Sequence, residues 1–204
     1  MFVIALKKYS GNMNKLHERI IEISKKYKLT HNGSFLTSAN IIDEIYKIKK
    51  PDEPFILSAG HMSLGLYVVI EKYHGIDAEK IYLHHGVHPD RCEQCKIDCS
   101  TGSLGNGISI ACGMALADRT KNVYCLITDG EAFEGLIFET ANVIRKYNVN
   151  NLKVYINWNK FSAYDTVPDW MLTNIITIFP EINVRHTNVE DYGLTGLSAH
   201  YVTL

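Results

Sequence analysis

The sequence lacks a long apolar run, an excess of either charge and a recognisable export signal. No apolar stretch reaches the roughly 18–20 residues that cross a bilayer. The short apolar patch at the start precedes its charges, the reverse of the order in a signal peptide. Net charge is −1, from 21 basic and 22 acidic side chains, so neither nucleic acid nor a membrane is an expected partner. We therefore expect a cytoplasmic protein.

The chain contains only five cysteines, an odd number. Cys112 and Cys125 lie inside apolar stretches, which argues against a secreted disulfide framework. The other three lie in "CEQCKIDC", residues 92–99, close to His85 and His88. This Cys-x-x-Cys segment could bind Zn²⁺, form a reversible disulfide or carry plain loop thiols, and all three interpretations stay open.

What is present is enough for a full core, since 46% of the 204 residues are hydrophobic. One domain is expected, and no repeat or linker is visible. Hydrophobic spacing predicts helices and a strand in the first half. They are a helix over 11–28, a helix in 34–50 capped around Thr37 or Ser38, a buried strand in 54–61 ending at Gly60-His61, a helix over 62–75 ending at Gly75, and a polar connection over 84–101.

The second half predicts a βαβ unit. A glycine-rich turn leads into a helix whose small residues, between 102 and 117, allow close backbone packing. Strand 122–128, a helix from about 132 to 147 and strand 153–157 follow. The helix is expected to bury one face, formed by Phe133, Leu136, Ile137, Thr140, Ala141, Ile144 and Tyr147. Two strands joined by one helix pair in parallel, so the predicted fold class is α/β, with a parallel sheet flanked by helices.

Polar residues follow both strands of this unit. Asp129 ends the first and Asn159 ends the second, at the sheet edge where ligands of parallel sheets bind. Carboxylate, amide and loop carbonyl oxygens suit Mg²⁺ or Ca²⁺. A helix starting near Glu131 would direct its N–H groups at an anion. Asp-Gly alone is common turn chemistry, but the matching Asn159 favours a metal and phosphate site.

Five segments in order resemble the thiamine diphosphate-binding domain of transketolases. "TDGEAFEG" followed by "NWNKF" resembles the motif that binds thiamine diphosphate. "THNGSF", "ILSAGHMSLGLY", "GVHPD" and "STGSLGNGISIACGMALA" are similar to further segments of that family. The resemblance spans residues 30–165. It implies a diphosphate-binding domain over 1–204, with the family's pyrimidine-binding and C-terminal domains absent.

The resemblance also implies roles for individual residues. Asp129, Asn159 and the Phe161 carbonyl would hold Mg²⁺ (or Ca²⁺). His61, Gly102, Leu104, Gly130 and Glu131 would lie at the thiamine diphosphate, and Glu134 would support communication across a subunit interface. His31, His88 and His61 would act as catalytic residues toward the substrate. Imidazoles suit proton transfer near neutral pH. His200, in "LSAHYVTL", matches a late family histidine only weakly.

Two departures from the family shape the expected function. Thr128 replaces the first glycine of the thiamine diphosphate motif. The family's catalytic glutamate belongs to the absent pyrimidine domain, so activity would need a second subunit, in a heterotetramer. We expect transfer of a two-carbon ketol unit between sugars or sugar phosphates. The alternatives are a related synthase that condenses a decarboxylated 2-oxo acid with an aldehyde, and a non-catalytic paralogue.

Overall fold

The computed structural model describes residues 3–8 and 13–204, in which helices and strands alternate along most of the chain. The strands are β1 (Val3–Lys8), β2 (Phe55–Leu57), β3 (Val123–Thr128), β4 (Leu152–Trp158) and β5 (Glu181–His186). The helices are α1 (Lys15–Tyr27), α2 (Asn32–Ile48), α3 (Ser63–His74), α4 (Ala78–His85), α5 (Asn106–Ala117), α6 (Gly135–Tyr147) and α7 (Asp169–Ile178).

The strands form one parallel sheet in the order β1-β5-β4-β3-β2. All six residues of β3 are buried, which requires cover on both faces of the sheet. Thr128 at the end of β3 pairs with Asn157 near the end of β4, so the chain leaves both strands at one edge. The predicted α/β fold with a parallel sheet is confirmed.

Each face of the sheet carries its own apolar cluster. Leu57 and Leu126 pack on one face with helices α1 to α4, and the alternate residues Ile56 and Ile127 pack on the other with α5 to α7. The alternation follows the two-residue period of a strand. Among the described residues, no helix combines the length and apolar character that a membrane span requires.

Helix α1 begins with reciprocal capping bonds. The Asn14 side chain accepts from the N–H groups of Leu16 and His17, and His17 Nδ1 accepts from the Asn14 N–H at 3.2 Å. This is a capping box with histidine in the third helical position. Of the helix predicted over 11–28, residues 11 and 12 lie outside the described residues. Helix α3 ends at Gly75 with φ 69°, as predicted.

The second helix begins earlier than predicted. It starts at Asn32 with His31 as N-cap, so the predicted cap at Thr37 or Ser38 is wrong. Both hydroxyls instead donate to main-chain carbonyls of the preceding turn. The segment 32–34 (Asn-Gly-Ser) has weak helix propensity, but all three residues are buried and packing decides the outcome.

The helix after β3 begins later than predicted. Residues Gly130–Phe133 form a 3₁₀ turn, and α6 starts at Gly135. Phe133 is 49% exposed and Tyr147 is 51% exposed, so their predicted burial is wrong. Phe133 leaves the predicted face because it belongs to the 3₁₀ turn. Leu136 is half-buried. The other residues of the predicted face are buried, namely Ile137, Thr140, Ala141 and Ile144.

Candidate active site

A cavity of about 250 Å³ opens at the carboxyl ends of β2, β3 and β4. Most of the predicted site residues line it. They are His31, His61, His88, Gly102, Leu104, Asp129, Gly130, Asn159 and Phe161. Five separate segments supply them: the start of α2, the turns after the three strands, and the loop before α5. The sheet therefore gathers residues that are far apart in sequence.

Asp129 is buried and surrounded by main-chain donors. Its Oδ2 accepts from the Asn159 N–H at 2.7 Å and from the Lys160 N–H at 2.5 Å, and its Oδ1 accepts from the Gly130 N–H at 3.0 Å. Burial nevertheless raises the pKa of Asp129 to about 7, because these dipoles only partly replace water around the charge. A bound cation would favour the ionised form.

The turn after β4 brings Asn159 next to Asp129. Asn159 Oδ1 accepts from the Phe161 N–H at 2.9 Å, and Lys160 between them has φ 71°, in the left-handed region. The Lys160 side chain pairs with Asp169 on the surface instead of entering the cavity. Two hard-oxygen side chains at one end of the cavity, together with the carboxylate's need for a counter-charge, fit a small divalent cation such as Mg²⁺.

Glu131 lies behind the cavity wall. It is fully buried, and Oε1 accepts from the Ser58 hydroxyl at 2.5 Å and the Gly105 N–H at 2.9 Å. Oε2 accepts from the Thr128 N–H at 2.9 Å. Burial raises the pKa of Glu131 to about 6. This carboxyl group holds together the turns after β2 and β3 and the start of α5.

Thr128, where the family has glycine, turns its hydroxyl to this same network. Thr128 Oγ1 accepts from the Glu131 N–H at 3.2 Å. Thr128 is 6% exposed, although it contributes to the cavity wall. The structure therefore assigns the hydroxyl a partner within the protein. Glu134 stands at the N-terminus of α6, half-buried and outside the cavity lining.

The imidazoles of three histidines form a cluster in the lining of the cavity. The ring centroids of His31 and His61 lie 5.4 Å apart, and those of His31 and His200 lie 6.3 Å apart. Thr30 Oγ1 lies 2.9 Å from His31 Nδ1. His200 Nδ1 contacts Ser34 Oγ at 3.3 Å, whereas its buried Nε2 has no hydrogen-bond partner among the described residues. His88 lies at the cavity mouth.

His31, His61 and His200 are held neutral by their surroundings. Burial lowers the pKa of His61 to about 3, and neighbouring imidazoles act in the same direction. Burial also lowers the pKa of His31 and of His200. At neutral pH the cluster therefore offers neutral imidazoles, each of which can donate one hydrogen bond and accept another.

Close backbone contacts fix the loops around the cluster. A Cβ atom on Gly60 would lie 2.5 Å from the Thr101 carbonyl oxygen, and one on Gly102 would lie 3.2 Å from the His88 ring. On α5, a Cβ on Gly107 would lie 2.5 Å from the Ser58 Cα. The small residues of this segment thus allow the close packing that the sequence predicts.

Several lining residues were not predicted from the sequence as site residues: Ser34, Met62, Ser162, Ala163, His200 and Tyr201. The Tyr201 hydroxyl donates to the Ala163 carbonyl, and the His31 N–H donates to the His200 carbonyl at 2.8 Å. These contacts bring the C-terminal segment onto the cavity. Only the histidine in "LSAHYVTL" offered a signal for it in the sequence.

Comparison with known proteins matches residues 14–192 to the family described as transketolase, thiamine diphosphate binding domain. The chain belongs to this family. It is 32% identical over 177 residues to a subunit of the apulose-4-phosphate transketolase of Phocaeicola vulgatus, covering 77% of this chain and 63% of that one. It is 29% identical over 157 residues to the transketolase of Mycoplasma pneumoniae, covering 67% of this chain and 24% of that one.

Solved transketolase structures share the fold. The Campylobacter jejuni enzyme superposes with a TM-score of 0.61 at 17% identity, covering 85% of this chain and 38% of its own. The Leishmania mexicana enzyme superposes with a TM-score of 0.55 at 17% identity, and the match covers 87% of this chain and 37% of that enzyme. The chain thus spans 63% of the length of the Phocaeicola protein and about a quarter of the Mycoplasma transketolase.

Proposed function

We propose that this chain is the diphosphate-binding subunit of a transketolase-type transferase. It would move a two-carbon ketol unit between sugars or sugar phosphates, with thiamine diphosphate and Mg²⁺ (or Ca²⁺) as cofactors. The observation that carries this proposal is one cavity that combines the Asp129 and Asn159 oxygens with the imidazoles of His31, His61 and His88. Membership of the transketolase family supports it.

The metal would be held by the side chains of Asp129 and Asn159 and by the Phe161 carbonyl. Among the described residues that line the cavity, none is lysine or arginine. An anionic diphosphate there would therefore depend on the metal for its counter-charge. When bound, thiamine diphosphate supplies a thiazolium ring that acts as an electron sink.

The protein's contribution would be to orient the sugar and to manage protons. His31 and His61 stay neutral at pH 7, so each can hold the proton of a sugar hydroxyl in a hydrogen bond or donate a hydrogen bond to that hydroxyl. His88, at the cavity mouth, would contact the entering substrate. Gly102 and Leu104, half-buried on the wall, would lie near the aminopyrimidine.

A second polypeptide is part of the proposal. We infer that residues 1–204 form one diphosphate-binding domain and that a partner supplies a pyrimidine-binding domain, with two copies of each in a heterotetramer. The Phocaeicola relative is named as one subunit of its transketolase, which supports a divided enzyme. Glu134, at the start of α6 and outside the cavity, would act at the interface between subunits. Five free cysteines support a cytoplasmic location.

Two alternatives make different predictions. A related synthase would use the same cofactor but accept a 2-oxo acid as donor. A non-catalytic paralogue would have lost the cofactor, and Thr128 is the residue that favours this alternative. The hydrogen bond between Thr128 Oγ1 and the Glu131 N–H weakens that argument, because the hydroxyl is part of an intact network.

Titration calorimetry of thiamine diphosphate with Mg²⁺ tests the proposal, on this chain alone and mixed with the polypeptide encoded beside it. We expect binding that appears or tightens in the mixture, and ketol transfer from a ketose donor only there. Turnover by the single chain would refute the divided enzyme. Turnover only with a 2-oxo acid donor would establish the synthase, and no binding in either sample would establish the paralogue.

A further inference from the structure

The loop between α4 and α5 contains a cluster of metal-ligand side chains that the proposed function does not use. Among the described residues, His85, Cys92 and Cys95 are the one group of at least three His, Cys, Asp or Glu side chains whose ligand atoms all lie within 4.8 Å of one another. All three cysteines of the loop are free thiols, including Cys99. The cluster is separate from the residues that line the active-site cavity.

The two cysteines lie on a tight, hydrogen-bonded turn. Cys92 and Ile97 exchange two main-chain hydrogen bonds of 2.9 Å, and the Cys95 N–H donates to Cys92 Sγ at 3.3 Å. Lys96, directly after the second cysteine, has φ 59°. The fold thus brings both sulfur atoms to the same side of the turn and directs a main-chain donor at one of them.

The histidine is supplied by the preceding helix. His85 is the last residue of α4, and the helix end is fixed by the Gly86 N–H, which donates to the Tyr82 carbonyl at 2.7 Å. His85 Nε2 is buried and has no hydrogen-bond partner within the described part of the chain. A buried polar atom without a partner costs about 1–3 kcal/mol, so it needs an explanation. A metal ion that accepts the electron pair of this nitrogen would provide that explanation.

We infer that His85, Cys92 and Cys95 form a Zn²⁺ site. Two thiolates and one imidazole are the soft and borderline ligands that zinc binds in tetrahedral geometry. On binding, two S–H bonds break, two Zn–S bonds and one Zn–N bond form, and the two thiol protons go to solvent. Three protein ligands leave a fourth position, which water would take.

The location gives the site a structural role. His88, which lines the active-site cavity, lies in the sequence between the ligands His85 and Cys92. Zinc bound to His85 and Cys92 would fix both ends of the segment between them. It would thereby hold His88 at the cavity mouth. His88 would then be positioned by a metal centre outside the cavity. This role predicts that metal removal loosens the loop while leaving the sheet intact.

Elemental analysis of the untagged protein, purified under reducing conditions without chelators, tests the inference. We expect about one zinc per chain, and reconstitution with Co²⁺ should give a thiolate-to-cobalt charge-transfer band and the visible bands of a tetrahedral ion. Cys92→Ser and Cys95→Ser should each weaken zinc binding by at least about 100-fold, since loss of a ligand exceeds the 10–100-fold cost of an outer-shell change. The matched controls Cys99→Ser and His84→Ala should retain zinc.

Hydrogen exchange provides a second readout that does not depend on the variants. Removal of zinc from the wild-type protein should raise exchange over residues 85–99 and leave β3 and β4 protected. A metal-free protein that does not bind added Zn²⁺ or Co²⁺ would overturn the inference. A Cys92–Cys95 disulfide in freshly purified protein, or equal loss of zinc in Cys99→Ser, would overturn it as well. None of these outcomes depends on thiamine diphosphate binding.

Discussion

The Asp129 carboxylate accepts a hydrogen bond of 2.7 Å from the main-chain N–H of Asn159, thirty residues along the chain. The bond joins the turns after β3 and β4, whose register pairs Thr128 with Asn157. Two of the three expected metal ligands are therefore placed by the sheet itself. A rigid sheet edge orients these oxygen atoms before any ligand arrives, which reduces the entropic cost of binding.

Replacement of Asp129 by alanine should abolish metal-dependent binding of thiamine diphosphate. We expect affinity to fall by at least about 100-fold in the presence of Mg²⁺, because the carboxylate that lines the cavity is lost. The protein should stay folded but lose some stability, because the N–H groups of Gly130, Asn159 and Lys160 lose their acceptor. Calorimetry on the assembled protein measures the affinity, and circular dichroism checks the fold.

Asp118→Ala is the control for this substitution. Asp118 is exposed at the end of α5, where its carboxylate accepts from the Thr120 N–H and hydroxyl. It should leave thiamine diphosphate binding unchanged. If Asp129→Ala binds the cofactor as tightly as Asp118→Ala does, the assignment of the metal site is wrong.

Two glycines should respond in opposite directions to substitution by alanine. A Cβ on Gly60 would lie 2.5 Å from the Thr101 carbonyl oxygen and 2.9 Å from the Gly102 nitrogen, so Gly60→Ala must displace main-chain atoms. We expect a loss of about 1–3 kcal/mol in the free energy of unfolding. Cofactor affinity should weaken as well, because Gly102 lines the cavity.

Gly113 on α5 provides the comparison. It is exposed, and an added Cβ would meet none of the described residues within 4 Å. Gly113→Ala should raise the free energy of unfolding by about 0.5–1 kcal/mol through helix propensity and reduced entropy of the unfolded chain. Urea denaturation of both variants measures the two effects. Equally small changes in the free energy of unfolding of both variants would show that the turn at Gly60 accommodates a Cβ atom without destabilising the protein.

The hydroxyl of Thr128 should contribute to stability through Glu131. Thr128→Val keeps the shape but removes the acceptor for the Glu131 N–H, and leaving that buried N–H unpaired should cost about 1–3 kcal/mol. Thr128→Ser retains the hydroxyl and should lose less. Urea denaturation compares the two. A valine variant as stable as the serine variant would mean that this hydrogen bond adds nothing.

Stability should fall on acidification, in part through His17. This side chain is fully buried next to Tyr192, and burial lowers its pKa. Below the unfolded-state pKa of about 6.5, the unfolded chain binds a proton that the folded chain does not, so the free energy of unfolding decreases as pH falls. The limiting slope is about 1.4 kcal/mol per pH unit for one proton.

His17→Gln tests this contribution. Glutamine does not titrate and can still serve as the capping-box partner of Asn14. Urea denaturation at pH 7.5 and pH 5.5 should show a smaller decrease in the variant than in the wild-type protein. The depressed pKa values of His31, His61 and His200 act in both proteins and cancel in the comparison. Identical decreases would exclude His17 as a contributor.

Local patterns in the sequence were enough to predict the parallel sheet and one end of the site. Asp129 and Asn159 each follow an apolar strand, and parallel strands end at a common edge, so their proximity follows from topology. Patterns were less reliable where packing opposes propensity. The Asn-Gly-Ser segment at 32–34 is helical because it is buried, and Phe133 is exposed because a 3₁₀ turn changes the phase of its side chain.

The rest of the site depends on loops, which have no hydrophobic period. His200 reaches His31 only because the C-terminal segment folds back over α2, and His85 meets Cys92 and Cys95 because the loop after α4 ends in a tight turn. Loop positions are set by long-range contacts whose energies are not encoded in neighbouring residues. The amino-acid sequence therefore determined the fold class and the proximity of Asp129 and Asn159 at the sheet edge. Tertiary packing alone decided which imidazoles and thiols meet.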